Sequence, residues 1–176
     1  MTRLPLVPYE EWDTEALSVL APGRKLPPSN ALGFLANHPP LAKAFLTFNG
    51  HLLGRTSSLP VRDRELAILR VAWRRRCAYE WAQHVLIARK AGVTDEEIAA
   101  VRAGDDTLIN RAVDQLEEDS QLPDSTYSEL AEIYDETQLM DFVFTVGAYG
   151  LLAVAFNTFG VGLDPGLPDG GFDSPA

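Results

Sequence analysis

Four side chains carry the chemistry this chain can offer: Glu65, Cys77, Glu80 and His84. They lie within residues 60–92, together with two of the three tryptophans and a cluster of arginines. If the segment after Cys77 is helical, the thiol, the second carboxylate and the imidazole share one face. At 100° per residue with Cys77 at zero, Glu80 falls at about 300° and His84 at about 340°. Ala78, Trp81, Ala82, Val85 and Ala88 fall at about 20° to 140°, an apolar arc beside them. The polar trio therefore borders a core-facing surface. Glu65 lies on the apolar stripe of the preceding segment with Leu69, Ala72 and Trp73. A carboxylate there must find a partner or a proton.

These residue types admit several chemistries. Glu80 and His84, four apart, read either as a proton-transfer pair or as an ordinary helix-face pair worth roughly 0.2–0.5 kcal/mol. Cys77 opens its helix beside Arg74, Arg75 and Arg76, a setting that favours a thiolate. A lone cysteine is as readily a small buried hydrophobe. If it reacts with peroxide, no second cysteine exists to resolve the sulfenic acid. Glu65, Glu80 and His84 are metal-ligand types, but their spacing is no metal signature, so no metal and no cofactor is expected. Arg62, Arg64 and Arg74–Arg76 either balance acidic surface or reach a substrate carboxylate. Tyr79 and Trp81 read as packing residues, and His38 and His51 as structural or exposed.

Helices must position these groups. The first of the central pair is predicted from about Arg62 to Arg75, with Asp63 in its first turn. The second is predicted from about Ala78 to Ala91, closed by Gly92. Upstream, residues 1–8 read as an extended arm, Tyr9 to about Leu20 as one short helix, and residues 21–28 as a loop. Ser29 caps a helix to about Asn37, and another runs from Leu41 to about Leu53. Downstream, Thr94 and Glu97 form a capping box for a helix ending near Gly104. Further helices are predicted from Asp106 to Asp119, Ser125 to Tyr134 and Glu136 to Phe159. Residues 164–176 read as a loose tail. No segment alternates like a strand, so the fold class is all-α, in one domain spanning 1–176.

The run RELAILRVAW, then C-A-Y-E-W-A-Q-H, then AGVTDEEI resembles the carboxymuconolactone decarboxylase family, which includes the alkylhydroperoxidase D-like proteins. The peroxidase branch carries Glu, then Cys-x-x-Cys-x-x-x-His, with Glu twelve residues before the first cysteine. Glu65 stands twelve before Cys77 and His84 seven after it, so three positions match. Glu80 occupies the position of the second cysteine, the one that attacks peroxide in that branch. The resemblance covers residues 61–101 and more weakly 127–163. It implies a multi-helix bundle of the alkylhydroperoxidase D-like type, a small-molecule substrate and a homo-oligomer.

The resulting expectation is an enzyme using general acid/base chemistry on a small carboxylate, lactone or enolisable substrate. His84 would transfer the proton, with Glu80 and Glu65 orienting it and Cys77 at the pocket edge. The alternatives are a one-cysteine hydroperoxide reductase built on Cys77 and a non-catalytic binding or assembly protein on the same fold. The net charge of −10 argues against nucleic acid and anionic membranes as partners. A single cysteine and an N-terminus without an apolar signal region suit a cytoplasmic protein. Residues 142–163 carry no charge over 22 positions, long enough to span a bilayer. Aspartates flank them without a basic anchor, so a buried central or subunit-interface helix is expected, and no membrane span. From Gly104 through Glu136 stand eleven acidic residues and one basic one, Arg111. They read as a solvated acidic face or as a dock for the arginines of another subunit. A helix apolar nearly all round points to a dimer or trimer.

Overall fold

The computed structural model describes residues 2–168 and 170–172 and is all-α there, with no strand among the described residues. Its elements are α1 (Thr14–Leu17), α2 (Asn30–Leu35), α3 (Pro39–Leu53), α4 (Val61–Arg74), α5 (Ala78–Lys90), α6 (Asp95–Ala103), α7 (Leu108–Asp119), α8 (Asp124–Ala131) and α9 (Glu136–Phe159).

Helix α4 is the axis. It packs against α5, α6, α7 and α9. Because it is covered on nearly every side, even its charged residues Arg64, Glu65 and Arg70 are buried. Each buried charge is paired, as the cost of desolvation requires. Arg70 makes a bidentate pair with Asp114 at 2.7 Å to each oxygen and donates to the Val101 carbonyl. Arg74 also reaches Asp114, and Arg75 pairs with Glu117. The acidic surface of α7 thus binds arginines of its own chain.

Residues 75–77 reverse the chain between α4 and α5. Cys77 N–H donates to the Ala72 carbonyl and Arg76 N–H to that of Trp73. This is a Schellman closure, with Arg76 in the left-handed position at φ 52°. The turn is so short that α5 must fold back along α4, and this faces Glu65 toward His84. Gly92 closes α5 in the same way at φ 86°. The Thr94–Glu97 capping box and the Gly104 terminus of α6 are as expected.

Elsewhere the chain departs from expectation. Tyr9–Leu20 is not one helix. A 3-10 turn over Tyr9–Glu11 breaks at Trp12, α1 restarts under the Asp13 cap, and a second 3-10 turn follows. Trp12 points its ring nitrogen at the Val7 carbonyl, which fixes the break. Helix α3 begins two residues early, because Pro39 and Pro40 occupy N-terminal positions where no backbone donor is needed and His38 caps Leu41. Helix α7 starts at Leu108 under a Thr107 cap.

The tail is the largest correction. Asp164 accepts from Asn30 N–H at 2.6 Å and from the Tyr79 hydroxyl at 2.9 Å. Phe172 packs on Trp73 and Trp81, and Arg102 donates to the Gly170 carbonyl while lying over both indoles. Two aromatic rings offer Phe172 a site that composition alone did not reveal. The part of the tail at 173–176 lies outside the described residues.

Helix α9 has the length and mean hydropathy, 1.9, of a membrane span. Within this fold it packs on α4, and Phe142, Tyr149, Ala153 and Phe156 are buried in the main core.

Candidate functional site

A cavity of about 220 Å³ opens between α2, α3, α5 and α9. Its walls are mostly apolar: Leu32 and Leu35 from α2, Phe45, Leu46 and Leu53 from α3, and Leu152 and Phe156 from α9. Polar groups enter from few places. Helix α5 supplies Tyr79, Glu80, Gln83 and His84, α3 supplies Asn49, and α9 supplies Tyr149.

Glu65 stands behind the imidazole. Its Oε2 lies 2.6 Å from His84 Nδ1, and neither residue is more than 6% exposed. Arg64 Nε donates to the other oxygen at 3.1 Å and its guanidinium also donates to the Leu52 carbonyl. With Glu65 accepting from Arg64 on one side, the consistent assignment puts the imidazole proton on Nδ1. Nε2 is then the nitrogen left for a ligand. The Tyr149 ring stands edge-on to the imidazole, 4.8 Å between centroids, and fixes its plane from α9.

Glu80 is placed differently. It is 2% exposed, and neither carboxyl oxygen has a hydrogen-bond partner of normal geometry among the described residues; the Cys77 thiol, a weak donor, lies beside it. Burial pushes its pKa well above the ordinary value, against the opposing pull of the Cys77 thiol and Arg75. Arg75 spends its guanidinium on Glu117 instead. Burial in this apolar wall thus favours the protonated form of Glu80, the form that can donate a proton. Asn49 is the other orphan of the cavity: its buried Oδ1 also has no partner.

Cys77 is 1% exposed and does not line the cavity. Burial and the neighbouring Glu80 both push its thiol pKa up. The expected thiolate setting is therefore not found. Arg74 and Arg75 turn to the acids of α7, and Arg76 points into solvent. Of the two readings of the arginines, balancing acidic surface or reaching a substrate carboxylate, the contacts of Arg74 and Arg75 with α7 match the first. No arginine or lysine lines the cavity.

The structure therefore brings Glu65, Glu80 and His84 together and leaves Cys77 beneath the floor. Sequence reasoning missed Asn49, Gln83, Tyr149 and Asp164, and it read Tyr79 as packing alone. Tyr79 packs edge-on to Phe156, yet its hydroxyl also lies on the cavity side, bonded to Asp164 and Ala31 N–H. The signal for Tyr79 and Gln83 was present: at about 200° and 240° they extend the Glu80–His84 arc. Asn49, Tyr149 and Asp164 sit far off in sequence, and no local pattern connects them to α5.

Residues 39–113 match the model of the carboxymuconolactone decarboxylase family, a stretch running from α3 into α7 that contains every candidate residue named in advance. That segment, somewhat under half of the chain, is similar to the carboxymuconolactone decarboxylase family. Two solved structures share the fold of the chain as a whole. One is an alkylhydroperoxidase AhpD core from Ralstonia eutropha JMP134, an uncharacterized peroxidase-related protein. It is 17% identical, with 93% of each chain covered and a TM-score of 0.77. The other is a protein of unknown function from Agrobacterium tumefaciens, provisionally assigned to AhpD antioxidant defence. It is 18% identical, with 74% of this chain and 95% of that one covered and a TM-score of 0.65. No match to a curated protein was found. The bundle is thus of the AhpD-like type, and the decarboxylase-like segment supplies the helix pair that carries the site.

Proposed function

We propose that the chain is an enzyme that moves protons by general acid/base chemistry on a small lactone or other enolisable carbonyl compound. One observation carries the reading: a partnerless buried carboxylic acid, Glu80, and an imidazole backed by a buried carboxylate, His84 on Glu65, line the same cavity. Groups whose surroundings hold one as an acid and leave the other a free basic nitrogen are an acid/base pair.

The step balances as follows. His84 Nε2 takes a proton from the carbon beside the carbonyl. The C–H electron pair becomes the carbon–carbon double bond and the carbonyl π pair moves to oxygen. That oxygen takes the Glu80 proton. The products are the enol, an imidazolium and a carboxylate. Each proton can return to the atom it left, or the imidazolium can exchange with water first. Glu65 stabilises the imidazolium through Nδ1–H, and the apolar walls keep the charges from being screened.

Deuterium uptake at the carbons beside the carbonyl of cyclohexanone, followed by NMR in D₂O, tests this. His84→Ala is expected to lose roughly 10²–10⁴-fold of any acceleration over buffer, the usual worth of a positioned acid or base. Cys77→Ser is expected to keep most of it. A dead Cys77→Ser with a merely slowed His84→Ala would move the chemistry to the thiol and support a hydroperoxide reductase. The buried, raised thiol speaks against that reading.

A further inference from the structure

The charge pattern of the cavity narrows its ligand. None of the chain's twelve arginines and three lysines lines it. Among the described residues its titratable lining groups are Glu80, His84, Tyr79 and Tyr149. Facing these from neighbouring elements are Glu65 and Arg64 on α4, which occupy each other and His84, and Arg75, which is held by Glu117. At the rim stands Asp164, which accepts from Tyr79 and from Gln83, both lining residues. An entering carboxylate would therefore meet the Asp164 carboxylate at the rim and no arginine or lysine free of an acid partner. Burying an ion without a partner is strongly unfavourable.

The unfilled hydrogen-bonding capacity points to the same ligand. Asn49 Oδ1 and both Glu80 oxygens are buried and partnerless. Such atoms are costly unless a ligand completes them. Neutral Glu80 offers one proton to a carbonyl oxygen and one oxygen to a donor, and Asn49 Oδ1 accepts from a hydroxyl. The remaining wall is apolar, and the volume equals about seven waters at the ~30 Å³ each occupies in the liquid.

We infer that the cavity selects a small neutral carbonyl compound with an apolar body, and excludes carboxylates of the same shape. This rests on the acid/base reading above and adds a consequence. A substrate that carries no carboxylate cannot lose carbon dioxide. The reaction at this site is then a proton shift or an isomerisation of a neutral lactone or ketone, although the matched family takes its name from a decarboxylation.

The test uses one ring in two charge states. Cyclohexanone and cyclohexanecarboxylate are titrated separately into the wild-type protein at pH 7.5, and binding is followed by the NMR signals of His84 and by ligand saturation transfer. Cyclohexanone is expected to bind at least about tenfold more tightly than the carboxylate. Gln83→Arg, which places a cation at the rim, is expected to raise the ratio of carboxylate to cyclohexanone affinity, because only the anion gains a charge partner. Equal or tighter binding of the carboxylate by wild type overturns the inference, and so does the absence of binding by either probe. These are binding readouts and do not depend on turnover. If the ketone is selected but His84→Ala exchanges deuterium as fast as wild type, the charge selectivity stands and the acid/base reading falls.

Discussion

Glu80 decides more at this site than any other residue. In the two-cysteine pattern its position carries a thiol; here a carboxyl group occupies it, inside an apolar wall and without a partner. Its proton is bound more tightly in the folded chain than in the unfolded one, because burial raises the pKa. The sign of the linkage follows. Above the ordinary glutamate pKa of 4.5 the unfolded chain gives up this proton while the folded chain holds it, so stability falls as pH rises toward the folded value. Glu80→Gln keeps the shape and removes the titration. Urea unfolding from pH 4.5 to 8 is expected to show the variant gaining on wild type as pH rises. A difference that is flat with pH would mean that Glu80 is ionised in the folded protein, and the acid of the proposed step would be lost. The helical arc made Glu80 and His84 legible in the sequence, and the apolar stripe made Glu65 suspect. The partner of Glu65 was legible only as a geometric inference from a short turn. The fate of Cys77 was not legible, because its arginine neighbours advertise a thiolate and only the fold shows them engaged by α7 acids.

At the scale of elements, the site depends on how α9 is held against α3 and α5. Near its N-terminus Asp141 accepts from Ser58 N–H at 2.6 Å, from the hydroxyls of Ser57 and Ser58, and faces His51 Nε2 at 2.8 Å. Burial would raise the Asp141 pKa, but the bonds from Ser58 and His51 outweigh it and hold the carboxyl below its ordinary value. This carboxylate ties the α3–α4 connection to α9. Asp141→Asn is expected to cost about 2 kcal/mol at neutral pH, the scale of hydrogen bonds to a charged acceptor, and to lower Tm by about 5 °C. The contribution is present above the unfolded pKa, near 3.8, and is lost as pH falls through the folded value. Wild type and variant should therefore converge in acid; a gap that persists at pH 2 would assign the effect to packing. Capping residues and glycines made most helix boundaries readable, since Ser29, Thr94, Gly92 and Gly104 act through bonds within a few residues. The broken first helix and the docked tail were not readable. Trp12–Val7 is a local competition that propensity does not resolve, and Asp164 and Phe172 find partners more than 80 residues away.

At the scale of the molecule, α9 presents two faces. Phe142, Tyr149, Leu152 and Phe156 turn inward to core and cavity. On the other side Val143, Phe144, Gly147 and Leu151 form a shallow apolar groove with Phe45 and Phe48 of α3, and the Phe48 and Phe144 rings meet edge-on. Phe144 is 52% and Leu151 59% exposed, a high value for large apolar side chains set one turn apart or two on a single face. A lone chain leaves that surface in water. A second copy seated there would remove it and brace the helix that carries Tyr149 against His84. We propose that the chain assembles through this face as a dimer or trimer, with an interface of roughly 1,200–2,000 Å² in total. Light scattering at micromolar concentration is expected to give a mass that is a multiple of 19.3 kDa. Leu151→Glu puts a charge at the centre of the groove, where a buried interface cannot hydrate it. It is expected to bring the mass down to that of one chain with helical circular dichroism unchanged, since Leu151 is 59% exposed in the single chain. A wild-type mass of 19.3 kDa sinks the assembly outright. A Leu151→Glu oligomer as large as wild type moves the interface to another surface and leaves the α9 groove without a role.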